Sequence, residues 1–179
     1  RSGIAMAQTT GTAQVSAPRV PFYSQFSDIK SAKWQKVGCG IASLAMLIDF
    51  YHPGSVSVEA LLKQGIAAGA FNENAGWSHQ GLALLAGKFD TKGATYDLSG
   101  LSANAAFAQF EKILKNGPAI ASVHYKFDPK NPIPHLVVIN GIGNGMVSYN
   151  DPAAKSGGKN ISIQDFIKAW KKRFITVRV

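Results

Sequence analysis

The chain has a single cysteine, Cys39, among its 179 residues. One cysteine excludes an internal disulfide and a thiolate metal cluster, and it leaves the redox compartment open. Acidic side chains are also scarce: ten Asp and Glu stand against nineteen Lys and Arg, a formal charge of +9. That balance favours acidic partners such as anionic cell-surface polymers, membranes or nucleic acid. No signature of an RNA- or DNA-binding module accompanies the charge, so no nucleic-acid partner is expected. No run of about 18 apolar residues exists, and no segment reads as a membrane-spanning helix. There is no His-Glu-x-x-His pattern, so no metal site is expected. Gly141-Ile142-Gly143-Asn144-Gly145 lacks the spacing and the following lysine of a phosphate loop, and reads as a hairpin turn.

What is present describes a globular chain. Apolar residues make up 46% and charged residues 16%, and the length suits one domain with a sizeable core. Residues 1 to 19 are poor in large apolar groups and read as a flexible leader. They would be the remnant of an export signal or residues added for expression. Ala5-Met6-Ala7 has the form of a signal-peptidase site, which favours an exported protein over a cytoplasmic one. The folded domain is expected over 20–179.

The first helix is expected from Cys39 to Tyr51. It is apolar on nearly every side and therefore central, and His52-Pro53-Gly54 ends it, with His52 as a cap. Ser57 caps a short helix, Val58 to Lys63, closed by Gly65. Phe26 to Lys36 is polar and irregular, and Ala67 to Trp77 reads as a loop. Ser78 caps a helix through Ala86, and Ser102 caps another from Ala103 to Lys115. The second half turns to strands: Ala119 to Tyr125, His135 to Asn140 and Met146 to Asn150. A helix from Ser162 to Lys172 precedes a last strand, Phe174 to Val179. Lys168, Lys171, Lys172 and Arg173 form the densest basic patch and read as the wet face of that helix. Helices first and a mostly antiparallel sheet second argue an α+β fold, with a cleft between the two.

Cys39 lies in Gly38-Cys39-Gly40-Ile41-Ala42-Ser43, at or beside a helix start. Unpaired N–H groups and the positive end of the helix dipole meet there, and both favour a thiolate over a thiol. A lone cysteine is also often a small buried hydrophobe, and spacing alone does not choose. A cysteine nucleophile needs a base and a group that orients it. His135 starts one strand and Asp151 ends the next, and in an antiparallel pair those two ends are neighbours. His124, on the adjacent strand, is the rival base, and His79 could line the cleft.

Val20-Pro21-Phe22-Tyr23-Ser24-Gln25, Gly38 to Leu47, His135-Leu136-Val137-Val138-Ile139-Asn140-Gly141 and Tyr149-Asn150-Asp151-Pro152 follow one another in order. Together they resemble the C39-like branch of the papain-like cysteine peptidases over residues 20–179. The resemblance implies a papain-like fold, Cys39 as nucleophile, His135 as general base, Asp151 as its orienting partner and no cofactor. It also implies an oxyanion-hole glutamine upstream of the cysteine. Gln25 fits the motif but lies fourteen positions before Cys39 (39 − 25), across what looks like an insertion, Phe26 to Lys36. Gln35 lies four before it (39 − 35), so both stay open, with Gln25 preferred.

Three readings follow. The first is a peptidase or amidase acting on a peptide or protein, with cell-wall peptides among the substrates. The second is an acyl transferase or deamidase of transglutaminase type with the same residues. The third is a papain-like binding module without turnover, against which the intact Cys39, His135 and Asp151 argue. Many C39 relatives cut leader peptides after paired glycines but are fused to a transporter, so that specificity is not carried over.

Overall fold

A computed structural model describes residues 19–179. The expected leader, with Ala5-Met6-Ala7, lies outside the described residues except for Arg19. In chain order the elements are α1 (Ala32–Gln35), α2 (Cys39–Tyr51), α3 (Val58–Ala67), β1 (Phe71–Asn72), β2 (Gly76–Trp77) and α4 (His79–Ala86). Then come β3 (Lys92–Asp97), α5 (Ala103–Leu114), β4 (Ala119–His124), β5 (Pro134–Gly143), β6 (Met146–Asn150), β7 (Lys159–Ser162), α6 (Ile163–Ala169) and β8 (Trp170–Arg178).

The main sheet has six strands in the order β3-β8-β4-β5-β6-β7, and each neighbouring pair is antiparallel. Its side chains alternate between two cores, as the period of a strand requires. Ile120, Leu136, Val138, Ile175 and Val177 join the buried residues of α2, α3 and α4 on one face. Ala121, Val137, Ile139 and Phe174 join Phe107, Phe110, Phe166 and Trp170 on the other. α2 lies at the centre because every residue from Gly40 to Ile48 is buried.

The expected caps are in place. Ser57, Ser78 and Ser102 accept hydrogen bonds from the N–H groups of Ala60, Gly81 and Ala105, three residues on. Several expectations need correction. α3 does not stop at Gly65 but runs on to Ala67. Gly65 is a packing glycine: a Cβ there would lie 3.0 Å from Ile41 Cδ1 and from Trp77 Cζ3. The loop expected over Ala67 to Trp77 holds the β1–β2 hairpin, and the irregular Phe26 to Lys36 stretch holds α1. β3, at the sheet edge, has no counterpart in the sequence reading. The last helix ends at Ala169, and Lys171, Lys172 and Arg173 belong to β8 rather than to a helix face.

Candidate active site

Cys39 is the first residue of α2, and Gly38 is its N-cap. Glycine is required there by close approach, since a Cβ would collide with Ile29 and sit 2.9 Å from the Trp34 carbonyl oxygen. Gly40 has the same character against Trp77 and Leu82. One turn further, Ser43 Oγ donates to the Leu136 carbonyl at 3.4 Å. That bond ties the helix that starts at Cys39 to β5, the strand that carries His135.

His135 is 5% exposed and sits beside Asp151, as the hairpin argument expects. Its Nε2 donates to Asp151 Oδ1 at 2.6 Å, and Ala153 N–H donates to the same oxygen at 2.8 Å. Nδ1 is the ring nitrogen left free by Asp151, and Cys39 borders the same cavity as the imidazole. Burial opposes the imidazolium, but the bonds to Asp151 and Cys39 and the charges of both outweigh it, and the pKa rises to about 9. The Tyr125 ring stands edge-on to the imidazole, with centroids 5.0 Å apart and planes at 82°.

Gln25 is 4% exposed and borders the same cavity as Cys39 and His135. Its backbone N–H donates to the Pro152 carbonyl at 2.9 Å, so the segment that orients His135 also seats Gln25. Asn150 helps: its Nδ2 reaches the carbonyls of Val20 and Pro21, and its Oδ1 accepts from Gly158 N–H. The side chain of Gln25 donates to the Gln35 carbonyl at 2.8 Å, while its Oε1 is buried without a partner. Gln35 points its own amide at the Ile29 carbonyl, 2.7 Å away, and closes the insertion on itself. The two glutamines are therefore linked, and only Gln25 borders the cavity.

His124 is not brought to Cys39; its Nδ1 pairs with the Asn131 carbonyl at 2.8 Å. His52 Nε2 meets the Asp90 carbonyl at the end of α2. His79 lines the cavity, and burial first and the Arg173 charge second hold its pKa below the usual imidazole value. Sequence reasoning missed Tyr125 and Ser43. The β4–β5 pairing, which sets Val123 against His135, was the available signal for Tyr125. Among the described residues no three His, Cys, Asp or Glu side chains cluster as a metal site requires. No helix among them is long and apolar enough to cross a membrane.

Helices on an antiparallel sheet, with the lone cysteine at a helix start in the seam, make a papain-like fold. The model of the Peptidase_C39 like family matches residues 18–174, and the chain belongs to that family. It is thereby a cysteine peptidase-like hydrolase. Solved structures share the fold, three of them as follows. A chain described as a C39-like peptidase from Bacillus anthracis has TM-score 0.66 and 20% identity, covering 90% of this chain and 95% of that one. A double glycine motif protease from an AMS/PCAT transporter, in complex with the leader peptide, has TM-score 0.62 and 20% identity over 92% and 95%. The peptidase domain of Streptococcus ComA, a bi-functional ABC transporter, has TM-score 0.56 and 19% identity over 80% and 92%. Among curated proteins, none matches the sequence.

Proposed function

We propose that the chain hydrolyses peptide or amide bonds through Cys39, His135 and Asp151, with Gln25 and the Cys39 N–H as oxyanion donors. The observation that carries this reading is the buried His135, bonded to Asp151 at 2.6 Å and lining one cavity with Cys39. An imidazole that keeps its proton up to about pH 9 is the counter-ion that a cysteine nucleophile attacking as its anion requires. Sulfur attacks the carbonyl carbon, and the oxyanion forms beside Gln25 and the start of α2. The N–H groups of that first turn have no partner within the helix. For Gln25 to contribute, one amide hydrogen stays on the Gln35 carbonyl and the other turns to the oxyanion. His135 then protonates the leaving amine, and water hydrolyses the thioester. No cofactor enters any step.

The substrate class we infer is an extended peptide, cell-wall peptide included, met outside the cytoplasm. The basic charge and the Ala5-Met6-Ala7 sequence support it. The test of the chemistry is inactivation by a peptidyl epoxide, followed by intact mass. One adduct per chain is expected, with His135→Ala reacting at least about 100-fold more slowly. Equal rates in the two proteins would sink the dyad. Peptide cleavage in heavy-oxygen water decides the acceptor: a labelled carboxylate means hydrolysis, and capture of an added amine means acyl transfer.

A further inference from the structure

The cavity that holds Cys39 and His135 has a volume of about 970 Å³ and extends well past them. It borders Leu136 on β5, Ser122 on β4, Arg173 on β8, and Thr95 and Asp97 on β3. Those four strands are consecutive neighbours in the sheet, so the cavity crosses them in order. We propose that Arg173 is a specificity residue that binds a carboxylate of the substrate about three residues from the bond being cut; this rests on the peptidase reading above.

The backbone is built to aim this side chain. Ala121 pairs with Phe174 and Val123 with Trp170, so three residues of β8, Lys171 to Arg173, stand opposite the single Ser122. Bulges of this kind re-aim side chains beside active sites. Lys172 takes the left-handed conformation at φ 60°, and its Nζ is fixed to the Leu101 carbonyl at 2.8 Å. Its carbonyl accepts from Leu98 N–H at 2.8 Å. Beyond the bulge the register with β3 is regular, and Arg173 shares a face with Ile175 and Val177, which belong to the core on the cleft side.

The guanidinium is free to bind. Arg178 spends its donors on the carbonyls of Pro118, Ile113 and Gly117. The Arg173 side chain, by contrast, makes no hydrogen bond or ion pair among the described residues, although its charge acts on the Asp97 carboxylate across the ladder. Its register partner Asp97 accepts from Ser99 N–H at 2.9 Å. His79 is held towards its neutral form, so the positive charge at this end of the cavity is the arginine's. A planar guanidinium matches a carboxylate with two parallel bonds. β5 and β8 are two strands apart in the sheet, roughly 10 Å at about 4.8 Å per step. An extended peptide advances about 3.3 Å per residue, which gives about three residues.

The test labels Cys39 with pairs of peptide reagents that differ only in one side chain. Acetyl-Glu-Gly-Gly-chloromethyl ketone and its Gln and Lys twins extend on one side of the sulfur; iodoacetyl-Gly-Gly-Glu-amide and its twins extend on the other. In one orientation the Glu reagent is expected to label about fivefold faster than Gln, with the advantage shrinking as salt rises. Arg173→Gln, an exposed position that leaves the fold unchanged by circular dichroism, brings the ratio to about one. An iodoacetyl-Gly-Gly-Gly free acid that outpaces its amide identifies a terminal carboxylate as the group read, still through Arg173. Equal Glu and Gln rates in both orientations overturn the proposal. So does a preference that survives Arg173→Gln, or a faster Lys reagent, which would make Asp97 the reader. Carboxylate-selective labelling without hydrolysis of the matching amide counts against the peptidase reading alone. Hydrolysis without selectivity counts against Arg173 alone.

Discussion

The two faces of the sheet carry cores of different make-up, and each positions a different half of the site. The face under α2, α3 and α4 is mostly aliphatic, with Ile41, Leu44, Leu47, Leu61, Leu82 and Leu85 fully or nearly buried. The opposite face is aromatic: Phe110 lies 4.8 Å from Trp170 and 4.7 Å from Phe174 between ring centroids. Ser43 reaches the Leu136 carbonyl of β5, and Gly38 and Gly40 let the start of α2 pack closely on Ile29, Trp34, Trp77 and Leu82, so that Cys39 is fixed. The aromatic core anchors Phe127 against Tyr149 at 4.7 Å, and Phe127 holds the turn that sets Tyr125 on His135. The aliphatic core thus places Cys39, and the aromatic core places His135.

The largest effect is expected from removing either partner across that seam. Cys39→Ala and His135→Ala should each lower kcat by about 10⁴ or more while keeping a cooperative thermal transition. If His124→Ala silences the protein and His135→Ala does not, the base has been misassigned. Next comes the oxyanion donor. Gln25→Ala should lower kcat roughly 10²- to 10³-fold with little change in KM, because the bond strengthens in the transition state. Gln35→Ala keeps the backbone carbonyl that holds Gln25 and should cost less than about tenfold. Equal losses in the two variants would mean that the insertion, and not the Gln25 amide, is what matters.

A smaller loss, about 10- to 100-fold in kcat, is expected for Asp151→Ala. The sign of its pH effect is fixed. Asp151 raises the His135 pKa, and in the proposed mechanism the imidazolium is the active form, so kcat/KM of the wild type is expected to fall as pH rises through about 9. Without the carboxylate that fall begins at lower pH. The smallest effect, about three- to tenfold in kcat with KM nearly constant, is expected from Phe127→Ala through the loosened Tyr125. A lower melting temperature with unchanged kcat would show that the aromatic core stabilises the fold without seating the base.

Much of this was legible because local rules held. The run after Gly38 is apolar all round, as a central helix must be, and the serine caps announced α3, α4 and α5. His135 and Asp151 could be paired because antiparallel neighbours bring a strand's start to the next strand's end. Gln25 was harder. Its distance along the chain hides that the insertion folds back, with Trp34 edge-on to Phe71 at 4.8 Å and Gln35 bonded to Ile29. β3 was illegible because an edge strand with Lys92, Thr95 and Asp97 exposed lacks a clean apolar alternation. The basic run at 171–173 imitated a wet helix face. Only the pairing with both β3 and β4 makes it a strand with a bulge, and that information lies far away in the sequence.

The central claim is that Cys39, His135 and Asp151 act as one unit, and the direct measure is the His135 imidazole itself. Nuclear magnetic resonance titration of labelled histidine, with the His135 signal assigned by its loss in His135→Ala, reads its protonation without any substrate. The account predicts a pKa of about 9 that drops in both Asp151→Ala and Cys39→Ala. A His135 that titrates near the ordinary value of about 6.5, unmoved by either substitution, would contradict it.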